Sequence, residues 1–235
     1  MNQPIVQQEA LIQSPLPVTI AGGGPLRLQS LRLALARAPH AVAVDGGADR
    51  LLQAGVMPEA VIGDLDSLSD AARAAIPAAR LHRIAEQATT DFDKTLRSIT
   101  APLVLAVGFT GGRMDHGLAV LNALVRHGDR PCILIGDRDI TFAAPPRPLH
   151  LRLRVGDALS LFPLAAVSGG SEGLRWPIAG LDFAPDGFIG TSNAVTRPEV
   201  RLSFARPGML VILPRARLDA AIRALWPAAS PVRGG

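Results

Sequence analysis

The chain has few of the side chains that mark several common classes of protein. Cys132 is its only cysteine, so no internal disulfide can form, and we expect a reducing cytoplasm as its compartment. No apolar run approaches the roughly 20 residues needed to span a bilayer. The N-terminal segment has neither the basic region nor the continuous apolar region of a signal peptide. We therefore expect a cytoplasmic protein with no membrane partner.

Aromatic side chains are also scarce, at 4% of 235 residues, and tyrosine is absent. Apolar residues nevertheless make up 48% of the chain, so a large core can be built from Leu, Val, Ile and Ala. That length suits one large domain or two small ones.

Lysine is also scarce. Lys94 is the only lysine among the 24 basic residues, and all the others are arginine. The net charge of +4 could attract nucleic acid, but the arginines are scattered singly and form no dense cluster, so we expect no nucleic-acid partner. Lys94 lies beside carboxylates in the segment DFDKT. A general preference for arginine could leave one lysine by chance, or this position could need a compact ammonium.

Short apolar runs alternate with helical patterns up to about residue 140. This alternation predicts βαβ units and a mostly parallel sheet. The predicted strands are residues 18–21, 41–44, 61–62, 103–107 and 133–135, and the predicted helices are 28–38, 48–54, 69–76, 91–99 and 115–127.

The pattern changes after residue 148, where LHLRLRV alternates strictly between apolar and polar residues, as a half-solvated antiparallel strand does. Further short strands and a closing helix at 218–225 follow. We predict an α/β fold: a Rossmann-like, mostly parallel α/β domain at 16–141, then a smaller antiparallel β-sandwich or barrel-like domain at 149–235. A flexible leader at 1–15 and a proline-rich linker at 142–148 complete the plan.

Polar clusters follow three of the predicted parallel strands: DGGAD after 41–44, GDLDS after 61–62 and GFTGGRMDH after 103–107. In open parallel sheets, ligands bind at the carboxyl ends of the strands. We therefore expect the three clusters to meet at one edge of the sheet.

Two carboxylates, Asp64 and Asp66, flank Leu65 in the second cluster. On an extended segment both would point to one side, which suits a hard cation such as Mg²⁺ shared with phosphates. Alternatively, Asp66, Ser67 or Ser69 caps the following helix. These residues alone do not decide between the two interpretations.

The segment TTDFDKTL places Asp91 at a helix start, with Lys94 three residues later on the same face. Taken alone, this pattern favours an ordinary helix cap with a surface ion pair.

The third cluster favours phosphate binding. Thr110, Gly111 and Gly112 offer unobstructed backbone N–H groups ahead of a helix. Arg113 can form a forked contact with phosphate oxygens, and Asp115 and His116 open the helix. The alternative is a glycine-rich turn with Asp115 as the helix cap.

Other signatures of catalysis are missing or weak. There is no P-loop motif, no full G-x-G-x-x-G and no G-x-S-x-G. Cys132 follows a proline at the start of an apolar run and is better explained as core. In the second half, Trp176 could pack at a rim or offer a platform to an aromatic or cationic ligand, and GTSN (190–193) could be only a polar turn.

Taken in order, six segments resemble the thiamine pyrophosphokinase family. They are DGGADRL (45–51), IGDLDS (62–67), TDFDK (90–94), GGRMDH (111–116), GLRWP (173–177) and GTSN (190–193). Each is weak alone, but their shared order over about 150 residues is specific.

The resemblance implies thiamine diphosphokinase activity. In this reaction a pyrophosphoryl group passes from ATP to the hydroxyethyl oxygen of thiamine, giving thiamine diphosphate and AMP with Mg²⁺ as cofactor. It implies metal ligands at Asp64, Asp66 and Asp91, with Lys94 and Arg113 completing the catalytic group. It further implies ATP contacts at Asp45, Gly46, Gly47, Thr110, Gly111, Gly112, Arg113, Asp115 and His116, and thiamine contacts at Gln87, Trp176, Ser192 and Asn193.

The family also implies a homodimer, with thiamine between the α/β domain of one subunit and the β domain of the other. The chain departs from the family pattern at Ala88, where many relatives have Asp, and at Leu65, where Phe is common. A non-catalytic nucleotide or thiamine sensor on the same scaffold is the alternative function, against which the intact Asp64, Asp66 and Asp91 argue.

Overall fold

The computed structural model describes residues 10–86 and 88–227. Its strands are β1 (Ile12–Gln13), β2 (Val18–Ala21), β3 (His40–Val44), β4 (Ala60–Gly63), β5 (Leu81–Arg83), β6 (Ile99–Thr100), β7 (Val104–Val107), β8 (Cys132–Ile135), β9 (Asp139–Ala143), β10 (Leu149–Arg152), β11 (Ala158–Pro163), β12 (Val167–Glu172), β13 (Asp182–Phe183), β14 (Gly190–Ala194), β15 (Glu199–Phe204) and β16 (Met209–Pro214). Its α-helices are α1 (Leu28–Leu35), α2 (Gly47–Gln53), α3 (Asp70–Ala75), α4 (Asp91–Arg97), α5 (Met114–Arg126) and α6 (Leu218–Leu225), and short 3-10 helices cover Ala78–Arg80 and Arg215–Arg217.

A ten-stranded mixed sheet forms the centre of the molecule, in the order β14-β11-β16-β9-β8-β7-β2-β3-β4-β5. The six strands from β8 to β5 are parallel, and the four from β9 to β14 continue the sheet with antiparallel pairs. A second, four-stranded antiparallel sheet has the order β10-β15-β12-β13. The predicted α/β class with an antiparallel part is therefore confirmed at this level.

Helices cover both faces of the parallel strands because those strands are apolar on both sides. Leu31 of α1 and Leu51 of α2 pack in the core on one face. Phe92 of α4 and Leu124 of α5 pack in the core on the other face. All four residues of β2, β4, β7 and β8 are buried, as expected for parallel strands between two helical layers.

The direction of winding reverses between β2 and β7. From β2 the chain runs through β3 and β4 to β5, with α1 and α2 on one face. From β7 it moves to β8 in the opposite direction, with α5 on the other face. The loops after β2 and β7 therefore diverge, and they leave a crevice at the carboxyl edge of the sheet where open α/β proteins bind ligands.

The ten-stranded sheet runs through the start of the predicted linker. Ala143 and Phe142 of β9 pair with β16, so the predicted 142–148 linker begins inside a strand. The sequence pattern did not predict this strand, because three prolines follow its last residues closely. In the predicted leader, Ile12–Gln13 pairs with β6. The domain limits themselves stay a prediction.

Among the described residues, no helix has both the length and the apolar character needed to cross a membrane.

Candidate active site

Three carboxylates meet at the carboxyl edge of the parallel sheet. Asp45 follows β3, Asp64 follows β4, and Asp91 is the first residue of α4. One oxygen of each lies within 4.8 Å of an oxygen of the other two. Like charges this close repel each other, so the arrangement favours a bound cation.

Asp45 is held in this group by an unusual backbone. Its φ is +47°, in the left-handed region that non-glycine residues rarely adopt, and its N–H donates to the carbonyl of Ile62. Its side chain is buried, and Oδ1 has no hydrogen-bond partner among the described residues. Strained backbone and an unsatisfied buried oxygen both occur at functional sites.

Burial raises the pKa of Asp45 above its ordinary value. The hydroxyl of Ser67 lowers this pKa in part, and the charges of Asp91, Asp66 and Asp64 raise it further. A cation between the carboxylates would remove that repulsion. The site thus has the electrostatic character of a cation site.

Asp66 lies beside this group but outside it. Its backbone N–H donates to Oδ1 of Asp64 at 3.2 Å, and its side chain is exposed and accepts from the hydroxyl of Ser67. Leu65 between the two aspartates has a φ of +65°, so the segment turns sharply where the sequence pattern assumed an extended one. The two carboxylates therefore do not point the same way along a strand. Neither Asp66 nor Ser67 caps α3, because Ser69 accepts from the N–H of Ala72.

Lys94 brings a positive charge to the carboxylates. Its ammonium nitrogen lies 3.0 Å from Oδ1 of Asp91, and its side chain is only 3% exposed. Thr90 caps α4 by accepting from the N–H of Asp93, which places Asp91 and Lys94 on one face of the helix. The lysine of this pair is buried and the aspartate is 29% exposed, whereas the sequence pattern alone favoured a surface pair.

Asp93 points away from the site, to the contact between α4 and α5. It is buried, and its Oδ1 lies 2.7 Å from Nε2 of His127. Burial works against a low pKa here, but the hydrogen bond and charge of His127 prevail and lower the pKa of Asp93. This contact holds the Asp93 side of α4 against α5. Asp91 and Lys94 lie on the opposite side of α4 and therefore face the site.

Glycines allow the loops after β2, β3 and β7 to approach each other closely. A Cβ on Gly47 would lie 1.8 Å from the carbonyl oxygen of Ala21. Gly108 has a φ of +78°, and its Cβ would lie 2.5 Å from the carbonyl oxygen of Gly22. The predicted Gly46-Gly47 turn therefore packs against the loop after β2, next to the three carboxylates.

The predicted phosphate-binding segment, residues 110–116, lies at the other side of the crevice. Gly111, Gly112, Arg113, Asp115 and His116 are exposed, and Thr110 is half-buried. Arg113, the N-cap residue of α5, makes no side-chain hydrogen bond to the first turn within the described part of the chain, so N–H groups of this turn can donate to a ligand.

Arg113 makes two hydrogen bonds to Asp115, at 3.1 Å and 2.6 Å, and these lower the pKa of Asp115 to about 2. An exposed ion pair contributes little stability, so a phosphate can take Asp115's place at Arg113.

The remaining predicted residues lie in a different part of the sheet. The carbonyl of Trp176 accepts from Nδ2 of Asn193 at 2.7 Å, and Asn193 is buried in β14. Ser192 has a φ of +61°, and its N–H donates to the hydroxyl of Ser160. The indole of Trp176 is 55% exposed, with the guanidinium carbon of Arg175 5.1 Å from the ring centroid. Gln87 lies outside the described residues.

This second group is far from the carboxylates within one chain. From β14 to β3 the sheet order counts seven strand-to-strand steps. At ~4.8 Å per step the separation is roughly 34 Å along the sheet. The structure therefore brings Asp45, Asp64, Asp91 and Lys94 together, and it brings Trp176, Ser192 and Asn193 together, but it keeps the two groups apart.

Sequence reasoning placed Asp45 at the same sheet edge as an ATP contact but did not assign it to the carboxylate group, because its approach depends on a rare backbone conformation. It also missed a cleft of about 640 Å³ that starts at the crevice and reaches the β8–β9 turn. Another cleft, of about 740 Å³, lies between α1 and α6 and away from the carboxylates. There Arg37 is bound through two hydrogen bonds to Asp219, so part of its positive charge is already neutralised.

The fold and the site define an α/β protein with a group of three carboxylates and glycine-rich turns at the carboxyl edge of a doubly wound sheet. Residues 31–135 match the model of the thiamin pyrophosphokinase catalytic domain. Over these residues the chain is similar to the catalytic domain of thiamine pyrophosphokinases.

Individual curated proteins and solved structures show the same similarity. The chain is 26% identical to thiamine pyrophosphokinase 1 of Oryza sativa subsp. japonica over 200 residues, which cover 71% of this chain and 76% of the relative. It is 31% identical to thiamine pyrophosphokinase 1 of Arabidopsis thaliana over 130 residues, 49% of each chain. The crystal structure of thiamin pyrophosphokinase from Geobacillus thermodenitrificans has the same fold, with a TM-score of 0.70 at 24% identity, over 87% of this chain and 100% of that one.

Proposed function

We propose that the protein is a thiamine diphosphokinase, which transfers the pyrophosphoryl group of ATP to the hydroxyl of thiamine and releases AMP. The observation that carries the proposal is the group of Asp45, Asp64 and Asp91 with the buried Lys94 at the sheet edge. Carboxylates and an ammonium in one place suit a ligand with both a metal ion and phosphates. The similarity to thiamine pyrophosphokinases suggests thiamine as the acceptor.

The residues present fit a Mg²⁺ ion. Carboxylate oxygens are the ligands that this ion prefers, and the unsatisfied Oδ1 of Asp45 lacks a partner that a cation would provide. We propose Asp45, Asp64 and Asp91 as its ligands. Asp66 is close enough for its charge to raise the pKa of Asp45, and it would contact the ion through a bound water. When bound, Mg²⁺ neutralises the phosphate charge that builds on the leaving AMP.

The protein's own groups bind and orient the triphosphate. Lys94 would contact the group being transferred, and its link to Asp91 fixes the position of its ammonium. Backbone N–H groups of Gly46, Gly47 and residues 110–112 would hold the phosphate oxygens from the two sides of the crevice. Arg113, released from Asp115, would add a forked contact, with Asp115 and His116 at the same helix start.

The transfer requires the thiamine oxygen to approach the β-phosphorus in line with the bond to the departing AMP oxygen. That bond breaks as the new phosphorus–oxygen bond forms, so the protein contributes mainly by positioning. Burial of Lys94 and Asp45 reduces water around the reacting group and strengthens their electrostatic effect.

Thiamine binding would need a second copy of the chain. We propose that Trp176, Ser192 and Asn193, with Gln87, contact thiamine. Asn193 lies in β14, an edge strand of the sheet several strands away from Asp64, and Trp176 lies beside Asn193. One thiamine molecule therefore cannot reach both groups in a single chain. A homodimer that places the Trp176 group of one subunit against the carboxylates of its partner solves this problem. We also propose a cytoplasmic location, which suits a chain whose single thiol is buried.

The test is to incubate the protein with ATP, Mg²⁺ and thiamine and to measure AMP and thiamine diphosphate by chromatography. We expect both products in equal amounts, and neither when Mg²⁺ is chelated. Asp64→Asn is the matched inactive control. ATP and thiamine binding without any AMP would contradict the proposal and identify a sensor.

A further inference from the structure

The cleft of about 740 Å³ between α1 and α6 has no role in the assignments above. One face of α1 and its C-terminal end line it, with Gln29, Leu33 and Ala36 at helical spacing. The other walls come from the turn between β8 and β9 and from the segment that joins β16 to α6. The volume lies within the range of small-molecule sites, and none of the three carboxylates of the proposed metal site lines the cleft.

Arginines outnumber carboxylates in this cleft. Its charged side chains are those of Arg32, Arg37, Arg138, Arg215, Asp137 and Asp219. Arg37 already binds Asp219, at 2.5 Å and 2.9 Å. Arg27, which lies outside the lining, binds Asp137 at 3.0 Å. Among the residues that the structure describes, no carboxylate lies within ion-pair distance of the other three arginines. The cleft therefore carries an excess of positive charge.

Arg215 is held in the cleft by its backbone and by a buried hydroxyl. Its N–H donates to the carbonyl of Arg138 at 2.7 Å, so the two arginines lie on directly bonded segments. Its Nη1 donates to the hydroxyl of Ser30 at 3.0 Å, and Ser30 is buried in α1. Two guanidinium groups on neighbouring segments repel each other, and an anion between them removes this repulsion. The arrangement therefore favours a bound anion.

The number of arginines indicates which anion fits best. A phosphate monoester has three terminal oxygens and roughly two negative charges, whereas a carboxylate has two oxygens and one charge. Guanidinium groups bind phosphate oxygens through pairs of parallel hydrogen bonds, so three of them match a phosphate group better than a carboxylate. Leu33, Pro214 and Leu218 add apolar walls, which a bare phosphate ion would leave uncovered. The lining therefore suits a phosphate group attached to a small organic body.

We propose that this cleft binds a small organic phosphate at a second site, separate from the proposed active site. Arg32, Arg138 and Arg215 contact the phosphate group, and Leu33 and Leu218 contact the organic body. Arg32 and Arg215 line this cleft and not the cleft at the crevice, so neither belongs to the residues assigned to ATP. The ligand joins α1, the first described helix, to the start of α6, the last one.

The experiment is isothermal titration calorimetry with phenyl phosphate and with inorganic phosphate, at about pH 8, where both are mostly dianions. We expect the wild type to bind phenyl phosphate about tenfold more tightly, because only this probe covers the apolar walls. Arg32→Gln and Arg215→Gln should each weaken the binding of both probes by about tenfold, since each change removes a charged hydrogen-bond donor. Arg206→Gln, a change at an exposed arginine between β15 and β16, is the matched control and should bind both probes as the wild type does.

A second titration separates this site from the proposed active site. It uses Mg²⁺ and saturating α,β-methylene-ATP, an analogue from which no pyrophosphoryl group can be transferred. Phenyl phosphate should bind the wild type with the same affinity whether or not the analogue is present. The Arg32 side chain is exposed, so Arg32→Gln should fold even if loss of the contact with Ser30 destabilises Arg215→Gln. Circular dichroism would check the folding of both variants.

Failure of the wild type to bind phenyl phosphate would overturn the inference, and so would equal affinities in the wild type and Arg32→Gln. Competition between phenyl phosphate and the analogue would assign the phosphate to the nucleotide site and would also overturn it. Equal affinities for the two probes would overturn the assignment of an organic ligand. The inference does not rest on the proposed function: failure of the analogue to bind would count against that function alone, and the arginine variants would still decide the second site.

Discussion

The ammonium nitrogen of Lys94 lies 3.0 Å from Oδ1 of Asp91, one helical turn away, and the lysine side chain is 3% exposed. This pair joins the only lysine of the chain to a carboxylate of the proposed metal site. Burial of a long, strongly hydrated side chain is costly, and a partner charge offsets only part of that cost. A surface arginine would have avoided the cost, so we predict that the position needs an ammonium in particular.

Lys94→Arg should fold but lose at least about tenfold in turnover, although arginine serves at every other basic position. A planar guanidinium is larger than an ammonium and cannot occupy the same buried point beside Asp91. AMP release and circular dichroism would measure activity and folding. Arg97→Lys, the reverse change one turn later on α4, tests whether any exchange of basic residues in this helix is harmful. Wild-type activity in Lys94→Arg would mean that the lone lysine is an accident of composition.

The carboxylate group gives a prediction that does not depend on activity. Without Mg²⁺, Asp45→Asn and Asp64→Asn should each raise Tm, because they remove repulsion between like charges. Adding Mg²⁺ should raise the Tm of the wild type but much less that of either variant, since one lost charged contact weakens affinity by about tenfold or more.

Two further variants rank the aspartates. Asp66→Asn should lose most turnover if it acts on the metal through water, but it should keep more of the Mg²⁺-dependent rise in Tm than Asp64→Asn, because Asp66 lies outside the group of three. Asp70→Asn, an exposed aspartate in the first turn of α3, should respond to Mg²⁺ as the wild type does. Equal responses to Mg²⁺ in the wild type and Asp64→Asn would contradict the cation site.

Five of the six parallel strands could be predicted from the sequence because they are short apolar runs followed or ended by glycine or aspartate. The sixth, β5, was not predicted because its residues, LHR, are mostly polar and partly exposed. Residues 18–21 and 218–225 were predicted with the bounds of β2 and α6. The approach of Asp45 to Asp64 and Asp91 could not be predicted, since it depends on a left-handed backbone and on loops from distant parts of the chain. The direction of the Asp66 side chain could not be predicted either, because it depends on the left-handed backbone of Leu65.

The antiparallel half was less predictable because most of its strands are polar on one side. β12 and β14 are rich in Gly, Ser, Thr and Asn, which are typical of turns. They form strands because their neighbours β15 and β11 satisfy their backbone groups. Pairing between distant segments thus overrides the local preference.

The ion pair between Asp157 and Arg217 should make stability sensitive to acid. Nη2 of Arg217 lies 2.8 Å from Oδ1 of Asp157, both side chains are mostly buried, and the hydrogen bond lowers the pKa of Asp157. A lowered pKa stabilises the fold above the ordinary aspartate pKa of about 3.9, and this stability is lost as the pH falls through the folded-state value.

Asp157→Asn should therefore lower the free energy of unfolding by about 1–3 kcal/mol at neutral pH. The difference from the wild type should be constant above about pH 5 and shrink below about pH 4. Urea unfolding at several pH values would measure it. Asp186→Asn, an exposed loop aspartate, is the control. A difference that grows on acidification would contradict the sign of this contribution.

Trp176→Ala should raise the thiamine KM about tenfold and leave the ATP KM nearly unchanged. The indole offers stacking and cation–π attraction to a cationic aromatic ligand, worth ~1–2 kcal/mol when desolvated. Arg175 lies over the ring, so the ligand would use the other face or displace the guanidinium. Phe188→Ala, another exposed aromatic of this half, is the matched control and should change neither KM. An equal rise in the ATP KM would contradict the assignment of Trp176 to thiamine binding.

Mixing Trp176→Ala and Asp64→Asn subunits tests whether the two groups form one site across a dimer. If they do, a mixed dimer has one intact site and one doubly damaged site. Random exchange of equal amounts makes half of the dimers mixed, so activity at low thiamine should reach about a quarter of wild type. If each chain builds its own site, every site carries one defect, and the mixture should give only the average of the two variants. Native mass spectrometry of differently tagged subunits would confirm exchange. Activity at that average after confirmed exchange would mean that Trp176 and Asp64 do not act on the same thiamine molecule. Because the sheet separates the two groups within one chain, Trp176 would then have a role outside catalysis.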